Sequence, residues 1–410
     1  MVQLGFDTRA VHGAPLKTDA HHAIKYPIYA GVAFSFETAE EMGDAFAFRK
    51  PAHTYSRVTN PTVEAFERKI NSLENGRASI AVASGMAAIS NTFLNLVTQG
   101  ENIISTISLF GNTYSFFKNT LSNFGVEVRF VDIDDPDQIK RAIDHKTRAI
   151  FLETISNPGM TVPDMGKVVE IAHDRGVAVI ADSTVTTPYL FKGKDIGVDI
   201  VVHSSTKLIS GGATAIGGVI VDLGKCEWRA HPSLSAYHKF GEWAFLARLR
   251  REVYRDLGAC MAPQAAYLHG LGLETLALRI EKVCTNTAVI ASFLRENGMV
   301  KAVNYPGLPD SPYHELAKKQ FGGRFGGVLS FELADQQSCF HFLNRLKIIR
   351  RASNLGDNTS LILHPASTIF REYTREERQV LGVTEGLIRL SVGIETVEDL
   401  IRDIDQALSR

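Results

Sequence analysis

The sequence predicts an α/β fold in which a mostly parallel central sheet lies between layers of helices. Short apolar runs indicate buried strands at residues 78–83, 102–107, 126–131, 148–153, 177–182, 200–203 and 218–221. Helical segments alternate with these runs, for example at residues 114–124 and 165–175. Continuous apolar strands that alternate with helices are typical of a parallel sheet buried on both faces. Ligands of such sheets collect at the carboxyl ends of the strands, so the residues that follow each strand are the first candidates for a site.

The composition is that of an ordinary globular protein and argues against several functional classes. Of the 410 residues, 45% are apolar and 22% are charged, and the net charge is −1. This balance gives no basis for binding nucleic acid or a membrane surface. The amino terminus lacks a basic segment followed by an apolar core, and no apolar run approaches the length of a membrane span. Four scattered cysteines without a CxxC pair indicate free thiols, so we expect a cytoplasmic protein.

We expect an amino-terminal arm and two domains. Residues 1–62 carry Gly, Pro, His and aromatic residues without a sustained period, which suggests an arm that packs on another surface, such as a neighbouring subunit. Residues 63–258 form the predicted large domain, which ends in a charged and aromatic crossover at 223–258. Residues 259–410 form a smaller α+β domain. Its predicted elements are helices at 263–297, 336–346 and 397–408 and strands at 327–333 and 387–395.

The arm ends at an Asn-Pro turn signal, and Thr62 is the predicted cap of a helix at residues 63–74. Just before this turn, Tyr55 and Arg57 stand two residues apart, so in an extended segment they point the same way. Taken alone, they are an ordinary surface pair.

The first predicted strand runs directly into Ser84, Gly85 and Met86, which begin a helix that reaches about residue 97. Ser84 is a favourable N-cap. A helix that begins this way presents free backbone N–H groups and the positive end of its dipole, which suits an anion. By itself the signal is weak, because many loops of α/β proteins share it.

Lys207 follows a later strand end, after the hydroxyls of Ser204 and Thr206 and before a run of small residues. A lysine whose pKa is lowered by burial or by a nearby cation can form a Schiff base. Asp182 closes the strand before that one, where a buried acid needs a partner. The alternatives are a surface lysine in a polar loop, and a carboxylate that caps a helix or forms an ion pair.

Together these strand ends describe a site for pyridoxal phosphate. Lys207 would hold the aldehyde carbon, Asp182 would keep the pyridine nitrogen protonated, and Phe110 would cover the face of the ring. The phosphate would bind to a set of N–H and hydroxyl groups, namely those of Gly85, Met86, Ser204 and Thr206.

The last predicted strand carries one charge. Four apolar residues from 388 to 394 alternate with Arg389, Ser391 and Gly393, so Arg389 lies on the polar face of a half-buried strand. Its planar guanidinium suits a carboxylate. An ion pair within the protein is the alternative.

Over nearly its whole length the chain resembles the cystathionine gamma-synthase-like, or Cys/Met metabolism, enzymes of pyridoxal phosphate fold type I. The motifs that carry the resemblance are Tyr55-Ser56-Arg57, Asn60-Pro61-Thr62, Ser84-Gly85-Met86-Ala87-Ala88, Ser156-Asn157-Pro158, Ala181-Asp182-Ser183-Thr184, Ser204-Ser205-Thr206-Lys207, His364-Pro365-Ala366-Ser367 and Arg389-Leu390-Ser391-Val392-Gly393-Ile394-Glu395. Together these motifs are specific to the family.

The resemblance implies roles for further residues. Tyr55 and Arg57 would reach the phosphate of a neighbouring subunit's cofactor, which implies a dimer, usually paired into a homotetramer with shared active sites. Asn157 would lie near the ring hydroxyl, and Arg389 would take the substrate's α-carboxylate. We add Thr184 to the cofactor contacts, and we add Asn354 and Tyr55 to the substrate contacts. No metal is expected.

Within the family, three segments resemble the O-acetylhomoserine sulfhydrylase branch: residues 353–357, 272–276 and 304–308. The chain departs from the usual pattern at four places. Phe110 stands where a ring-stacking tyrosine is usual, and Asn112 stands where many methionine gamma-lyases carry cysteine. Ile369-Phe370 replaces a threonine-histidine pair, and Cys284-Thr285 replaces a common histidine-serine pair.

The predicted reaction is γ-replacement on an activated homoserine, in which O-acetyl-L-homoserine and sulfide or a thiol give L-homocysteine or L-methionine and acetate. Lys207 would move the substrate's protons, and Tyr55 would act as the acid or base beside the leaving group. The alternatives are γ-elimination, as in methionine gamma-lyase or cystathionine gamma-lyase, and the cystathionine gamma-synthase reaction. A non-catalytic relative is disfavoured by the intact Lys207 and Asp182. A nucleotide-binding protein is disfavoured by the absence of a GxGxxG fingerprint.

Overall fold

The computed structural model describes residues 4–13, 21–47 and 49–409. Parts of the predicted arm, at residues 1–3, 14–20 and 48, and the last residue of the predicted small domain, residue 410, lie outside the described residues. The domain boundaries at residues 62 and 258 remain predictions.

The arm contains two short helices that the sequence analysis did not predict, α1 (Phe6–His12) and α2 (Ala39–Phe46). The expectation of an irregular arm is therefore wrong at these segments. A local cap explains the start of α2, because the side chain of Thr38 accepts a hydrogen bond from the N–H of Glu41. Such a short helix depends on its cap more than on a long apolar period.

Helix α3 (Pro61–Glu74) begins two residues earlier than predicted, and its cap is Asn60 rather than Thr62. Asn60 is extended, and its side-chain oxygen accepts hydrogen bonds from the N–H groups of Thr62 and Val63. Pro61 suits the first helical position because it has no N–H to satisfy. The Thr62 hydroxyl instead donates to the carbonyl of Pro27, which ties the arm to this helix.

The large sheet has seven strands and confirms the predicted α/β architecture. The strands are β1 (Ala78–Val82), β2 (Asn102–Ser105), β3 (Glu127–Phe130), β4 (Thr147–Glu153), β5 (Ala178–Asp182), β6 (Ile200–His203) and β7 (Gly218–Asp222). Their order in the sheet is β1-β7-β6-β5-β4-β2-β3. Among the described residues, β7 is the only strand of this sheet that runs antiparallel to both of its neighbours, and the other pairs are parallel.

Helices cover both faces of this sheet. They are α4 (Gly85–Leu96), α5 (Gly111–Ser115), α6 (Pro136–Ala142), α7 (Met165–His173), α8 (Thr187–Leu190), α9 (Gly193–Ile196), α10 (Ala244–Arg248) and α11 (Tyr254–Leu257). One apolar cluster joins α3 and α7 to one face, and a second joins α4 to the other. The helix predicted at 114–124 is divided into α5 and a π-helical segment, Phe116–Leu121.

The segment expected to cross into the second domain packs against the large sheet as a series of short helices. It comprises 3₁₀ helices at Trp228–Ala230 and Pro232–Trp243, then α10, a π-helical segment at Leu249–Val253, and α11. The fully buried rings of Trp228 and Phe245 stack with centroids 4.9 Å apart. They share an apolar cluster with α4, so this segment supports the helix that begins at Gly85.

A second sheet of five strands has the order β10-β11-β12-β9-β8. Its strands are β8 (Ala302–Asn304), β9 (Val328–Glu332), β10 (Arg350–Arg351), β11 (Leu361–Leu363) and β12 (Leu387–Ser391). The helices of this part of the chain are α12 (Pro263–Glu274), α13 (Leu276–Glu296), α14 (His314–Gln320), α15 (Gln336–Arg345), α16 (Arg375–Val380) and α17 (Val397–Leu408). None of the described helices is long and apolar enough to cross a membrane.

The single helix predicted at 263–297 is wrong, because the helix is interrupted at Thr275. In a continuous helix the carbonyl of Gly272 would accept the N–H of the residue four positions later. Here that carbonyl accepts a hydrogen bond from Arg279 Nη2, and Arg279 Nε donates to the Thr275 hydroxyl. The side chain of Arg279 therefore stabilises the break.

Strand β12 is not half-buried as expected, because both of its faces are covered. All five of its residues are buried, and the exposed fraction of Arg389 and of Ser391 is 1%. The face predicted to be polar and solvated lies under residues 353–356, which bond to both side chains.

Candidate active site

Three strands of the large sheet end side by side at the candidate site. Glu153 of β4 pairs with Asp182 of β5, and Asp182 pairs with Val202 of β6. Because these pairs are parallel, the loops that follow the three strands lie at one edge of the sheet. Residues 204–207 begin directly after β6, so Lys207 lies at this edge.

The side chain of Lys207 is half-buried and is held by an amide. Its Nζ donates a hydrogen bond to Asn354 Oδ1 at 2.5 Å, although the two residues are 147 positions apart. Burial, and secondly the positive charge of Arg389, lower the pKa of Lys207 to about 8. About a tenth of the side chains then carry a free amine at pH 7. The alternative of a solvated surface lysine does not describe this environment.

Asp182 is a half-buried carboxylate held by local hydrogen bonds, and the surrounding protein removes much of its water. Its Oδ1 accepts the N–H of Thr184 at 2.9 Å, in a turn rather than a helix cap. Burial raises the pKa of Asp182, and the hydrogen bonds from Thr184 oppose this rise. Within the described part of the chain, no Lys or Arg forms a salt bridge with it. A buried carboxylate without a cation favours a ligand that brings a positive charge.

The start of α4 forms a cradle beside Asp182 and Lys207. Ser84 is the N-cap, as predicted, and its hydroxyl accepts the N–H of Ala87 at 3.0 Å. Gly85 lies so close to Ser204 that a Cβ on it would be 2.6 Å from Ser204 Cβ. The N–H groups of Gly85 and Met86 are the first two of the helix and have no partner within it. This geometry suits a phosphate group.

Arg389 is a buried cation whose side chain is only partly paired. Its Nη2 donates to the carbonyl oxygens of Asn354 at 2.7 Å and Ser353 at 3.3 Å, and its Nε has no partner among the described residues. Burial lowers the pKa of Arg389 to about 10. The alternative of an internal ion pair is not seen, because the described residues place no carboxylate against this guanidinium. Its unpaired N–H group suits an incoming carboxylate.

A family model described as "Cys/Met metabolism PLP-dependent enzyme" matches residues 7–409 of this chain. The chain belongs to this family. The resemblance seen in the sequence is thereby confirmed, and pyridoxal phosphate is the cofactor.

Individual members of the family match with similar strength. The O-acetyl-L-homoserine sulfhydrylase 1 of Thermus thermophilus is 38% identical and covers 98% of this chain and 100% of its own length. The L-methionine gamma-lyase of Fusobacterium nucleatum subsp. nucleatum is also 38% identical and covers 100% and 99%. A crystal structure from Campylobacter jejuni containing N'-pyridoxyl-lysine-5'-monophosphate is 38% identical, covers 99% and 100%, and has a TM-score of 0.95.

The geometry fits the cofactor of this pyridoxal phosphate-dependent family. Lys207 presents a half-buried amine, Asp182 presents a carboxylate without a cation partner among the described residues, and the cradle at Gly85 presents N–H groups without a partner in their own helix. Asn157, predicted near the ring hydroxyl, is buried, and its side-chain oxygen has no partner among the described residues. An unpaired buried acceptor of this kind suits a hydroxyl donor.

The hydroxyl groups of two predicted cofactor contacts, Thr206 and Thr184, are already engaged in this structure. The hydroxyl of Thr206 donates to the carbonyl of Gly217 at 3.1 Å and accepts the N–H of the same residue at 3.0 Å. It would have to turn in order to donate to a phosphate oxygen. The hydroxyl of Thr184 accepts the N–H of Ser204 at 2.7 Å, which orders the loop that leads to Lys207.

Tyr55 and Arg57 are the predicted site residues that this chain does not bring to its own Lys207. Tyr55 is 42% exposed, and the Arg57 guanidinium lies 5.4 Å from the centre of its ring. Arg57 donates to the carbonyl of Arg255 at 2.7 Å. Their role in the site of a neighbouring subunit stays a prediction.

Glu153 lies at the site, but the sequence, which places it at a strand end, assigned it no specific role. Its carboxylate accepts the N–H of Phe110 at 2.6 Å, and Phe110 is the predicted ring-stacking residue. The signal in the sequence was an acidic residue at the end of an apolar run. In the structure this residue pairs with Asp182 on the adjacent strand β5.

Proposed function

We propose that this chain catalyses γ-replacement on O-acetyl-L-homoserine, with sulfide or a thiol as the incoming nucleophile and acetate as the leaving group. The observation that carries the proposal is the contact of Asn354 with both Lys207 and Arg389. Asn354 belongs to the segment that resembles the sulfhydrylase branch, and the Thermus thermophilus relative carries a sulfhydrylase name.

The buried Arg389 would hold the substrate through its α-carboxylate. The backbone carbonyls of residues 353 and 354 accept from Nη2 and fix the plane of its guanidinium, while Nε keeps an N–H without a partner among the described residues. A planar fork fixes the orientation of a carboxylate as well as its charge. A carboxylate held there would place the substrate beside Lys207, because Asn354 contacts both side chains.

Lys207 would take a proton from the α-carbon and then one from the β-carbon before acetate leaves the γ-carbon, and would return both after the nucleophile has added there. The bound cofactor supplies an electron sink for the α-carbon. A pKa of about 8 suits both tasks, because the amine is a base that is partly free near neutral pH and, once protonated, an acid. Asp182 would keep the ring nitrogen protonated, since a buried carboxylate is most stable beside a positive charge.

The partner subunit's Tyr55 would act as the acid or base near the leaving group, and a homotetramer of two such dimers would be the complete assembly. Several apolar side chains of the arm support association, because Ile24, Val32 and Phe46 are 99%, 56% and 59% exposed in the single chain. Exposed apolar side chains on one segment are typical of a subunit interface.

Shared active sites can be tested by mixing two inactive variants. Lys207→Ala and Tyr55→Ala subunits are unfolded together and refolded as a mixture. If Tyr55 acts across the interface, each hybrid dimer contains one intact site, and activity returns to about a quarter of the wild-type value, since half of the dimers are hybrids. No return of activity in hybrids that are shown to form would place Tyr55 in the site of its own subunit.

We also propose a cytoplasmic location and small-molecule partners only, namely the amino-acid substrate and the sulfur donor. The four cysteines support a reducing compartment, because all of them are free thiols in the structure. Cell fractionation with an antibody to the chain tests the location.

γ-Elimination is the second candidate, because the Fusobacterium nucleatum relative is named L-methionine gamma-lyase and matches equally well. The presence of Asn112, where many such lyases carry cysteine, favours replacement. Purified holoenzyme is given O-acetyl-L-homoserine with and without sulfide, and products are identified by mass spectrometry. Homocysteine that forms only with sulfide supports the proposal. A 2-oxo acid and ammonia formed regardless of sulfide would show that the enzyme is a lyase. The Lys207→Ala variant is the negative control for both reactions.

A further inference from the structure

Glu153 lies at the centre of the site but outside the roles assigned so far. It ends strand β4, is 8% exposed, and is paired in register with Asp182 on the adjacent parallel strand. Side chains paired in this way point to the same face of the sheet. Two carboxyl groups therefore lie side by side at the buried edge where the cofactor is expected.

The contacts of Glu153 reach two loops of the site. Its Oε1 accepts the N–H of Phe110 at 2.6 Å, and the backbone of Asn157 lies near enough to favour its charged form. Phe110 immediately precedes helix α5, and its own backbone is not helical, so this bond fixes the position at which the loop turns into the helix. One carboxyl group thus anchors the predicted ring-stacking residue and lies beside the residue predicted near the ring hydroxyl.

The charge of this pair follows from its burial. Two ionised carboxylates in contact would repel each other where little water screens them, so such pairs hold one proton. Burial, and secondly the carboxylate of Asp182, raise the pKa of Glu153 well above its usual range. Asp182 is the member that carries the charge, because Thr184 donates to it and His203 lies near it.

We propose that Glu153 is a positioning residue that remains a neutral acid, anchors the backbone of Phe110, and leaves the negative charge of the pair on Asp182. The role concerns how the site holds its cofactor. It rests on the proposed cofactor contacts and is independent of whether replacement or elimination follows.

Comparison of Glu153→Gln with Glu153→Ala separates the effect of the hydrogen-bond acceptor from the effect of a negative charge at this position. Glutamine is neutral and keeps a carbonyl oxygen in nearly the same place, so it should preserve the hydrogen bond from Phe110. Alanine removes this bond and leaves the N–H group of Phe110 unpaired. Glu170→Gln, on the exposed side of α7, is the matched control for the substitution itself.

The readouts are the visible absorption and circular dichroism bands of the substrate-free holoenzyme and the cofactor dissociation constant from titration of the apoenzyme. We expect Glu153→Gln to match the wild type within about twofold, and Glu153→Ala to bind the cofactor about tenfold more weakly with an altered dichroism band. Because no substrate is present, failure of the proposed reaction does not affect these results.

Two results would overturn the proposal. If Glu153→Gln is as impaired as Glu153→Ala, an ionised carboxylate is required. If Glu153→Ala keeps the wild-type band and dissociation constant, the anchor has no role. Should the alanine variant fail to fold, Glu153→Met replaces it, because methionine fills the same space without an acceptor oxygen. Glu153→Met is then compared with Glu153→Gln and with the wild type in the same two ways.

Discussion

Replacing Arg389 with leucine is expected to raise the pKa of Lys207. The two side chains converge on Asn354, whose amide oxygen accepts from Lys207 Nζ at 2.5 Å and whose backbone oxygen accepts from Arg389 Nη2 at 2.7 Å. The guanidinium charge disfavours a second positive charge at Lys207, and leucine removes that repulsion. A larger part of the Lys207 amines would then be protonated near neutral pH and unable to react with the cofactor.

The size of the effect follows from the two causes of the lowered pKa. Burial is the larger cause and Arg389 the second, and together they lower the pKa of Lys207 from 10.5 to about 8. Arg389 therefore accounts for less than half of the change, and its loss raises the pKa by about one pH unit at most. At pH 8 the free amine would fall from about a half to about a tenth of the molecules, roughly a fivefold decrease.

The assay is the rate at which apoenzyme recombines with pyridoxal phosphate, followed by absorbance from pH 6.5 to 10. Arg389→Lys is the matched control, because it keeps the positive charge while it removes the planar fork. We expect midpoints near 8 for the wild type and Arg389→Lys, and near 9 for Arg389→Leu. An unchanged midpoint in Arg389→Leu, or an equal rise in Arg389→Lys, would refute the reasoning.

Gly85→Ala should raise the cofactor dissociation constant by about tenfold or more in apoenzyme titrations, since its new Cβ would lie 2.6 Å from Ser204 Cβ. Gly43→Ala, with nothing within 4 Å, should leave that constant unchanged, and equal effects would contradict the packing argument. His173→Gln should lower stability to urea more at pH 6 than at pH 9. The hydrogen bond to Asp199 raises the pKa of His173 in the folded protein. Protonated His173 therefore stabilises the fold fully below its pKa in the unfolded chain, about 6.5, and this stabilisation is lost as the pH rises through the pKa in the folded protein. An equal loss at both pH values would show that the charge of His173 contributes nothing.

The local apolar pattern was sufficient to predict the bounds of an element wherever that element is stabilised by its own periodicity. Strand β6 and helix α17 have the bounds that the apolar pattern predicts. Most other strands of the large sheet differ from expectation by one or two residues. Except in β3, the apolar side chains of these strands are mostly buried, as is typical of a sheet covered by helices on both faces.

Individual side-chain hydrogen bonds, some local and some between distant segments, explain the places where the pattern failed. The break at Thr275 is held by Arg279, and the cap of α3 is Asn60, whose amide also donates to the carbonyl of Tyr29 in the arm. The polar face of β12 is buried because residues 353–356 lie over it. None of these contacts leaves a periodic signal in the sequence.

The sequence by itself determined the fold class and placed Lys207, Asp182 and the start of α4 at strand ends, because strand alternation and local capping depend on neighbouring residues. Only the tertiary structure decided what these groups touch. It brought Asn354 to Lys207 across 147 positions, left Arg389 buried with an unpaired Nε, and set Glu153 beside Asp182. Hydrogen bonding and burial depend on distances in space, and those distances exist only once the two sheets have packed together.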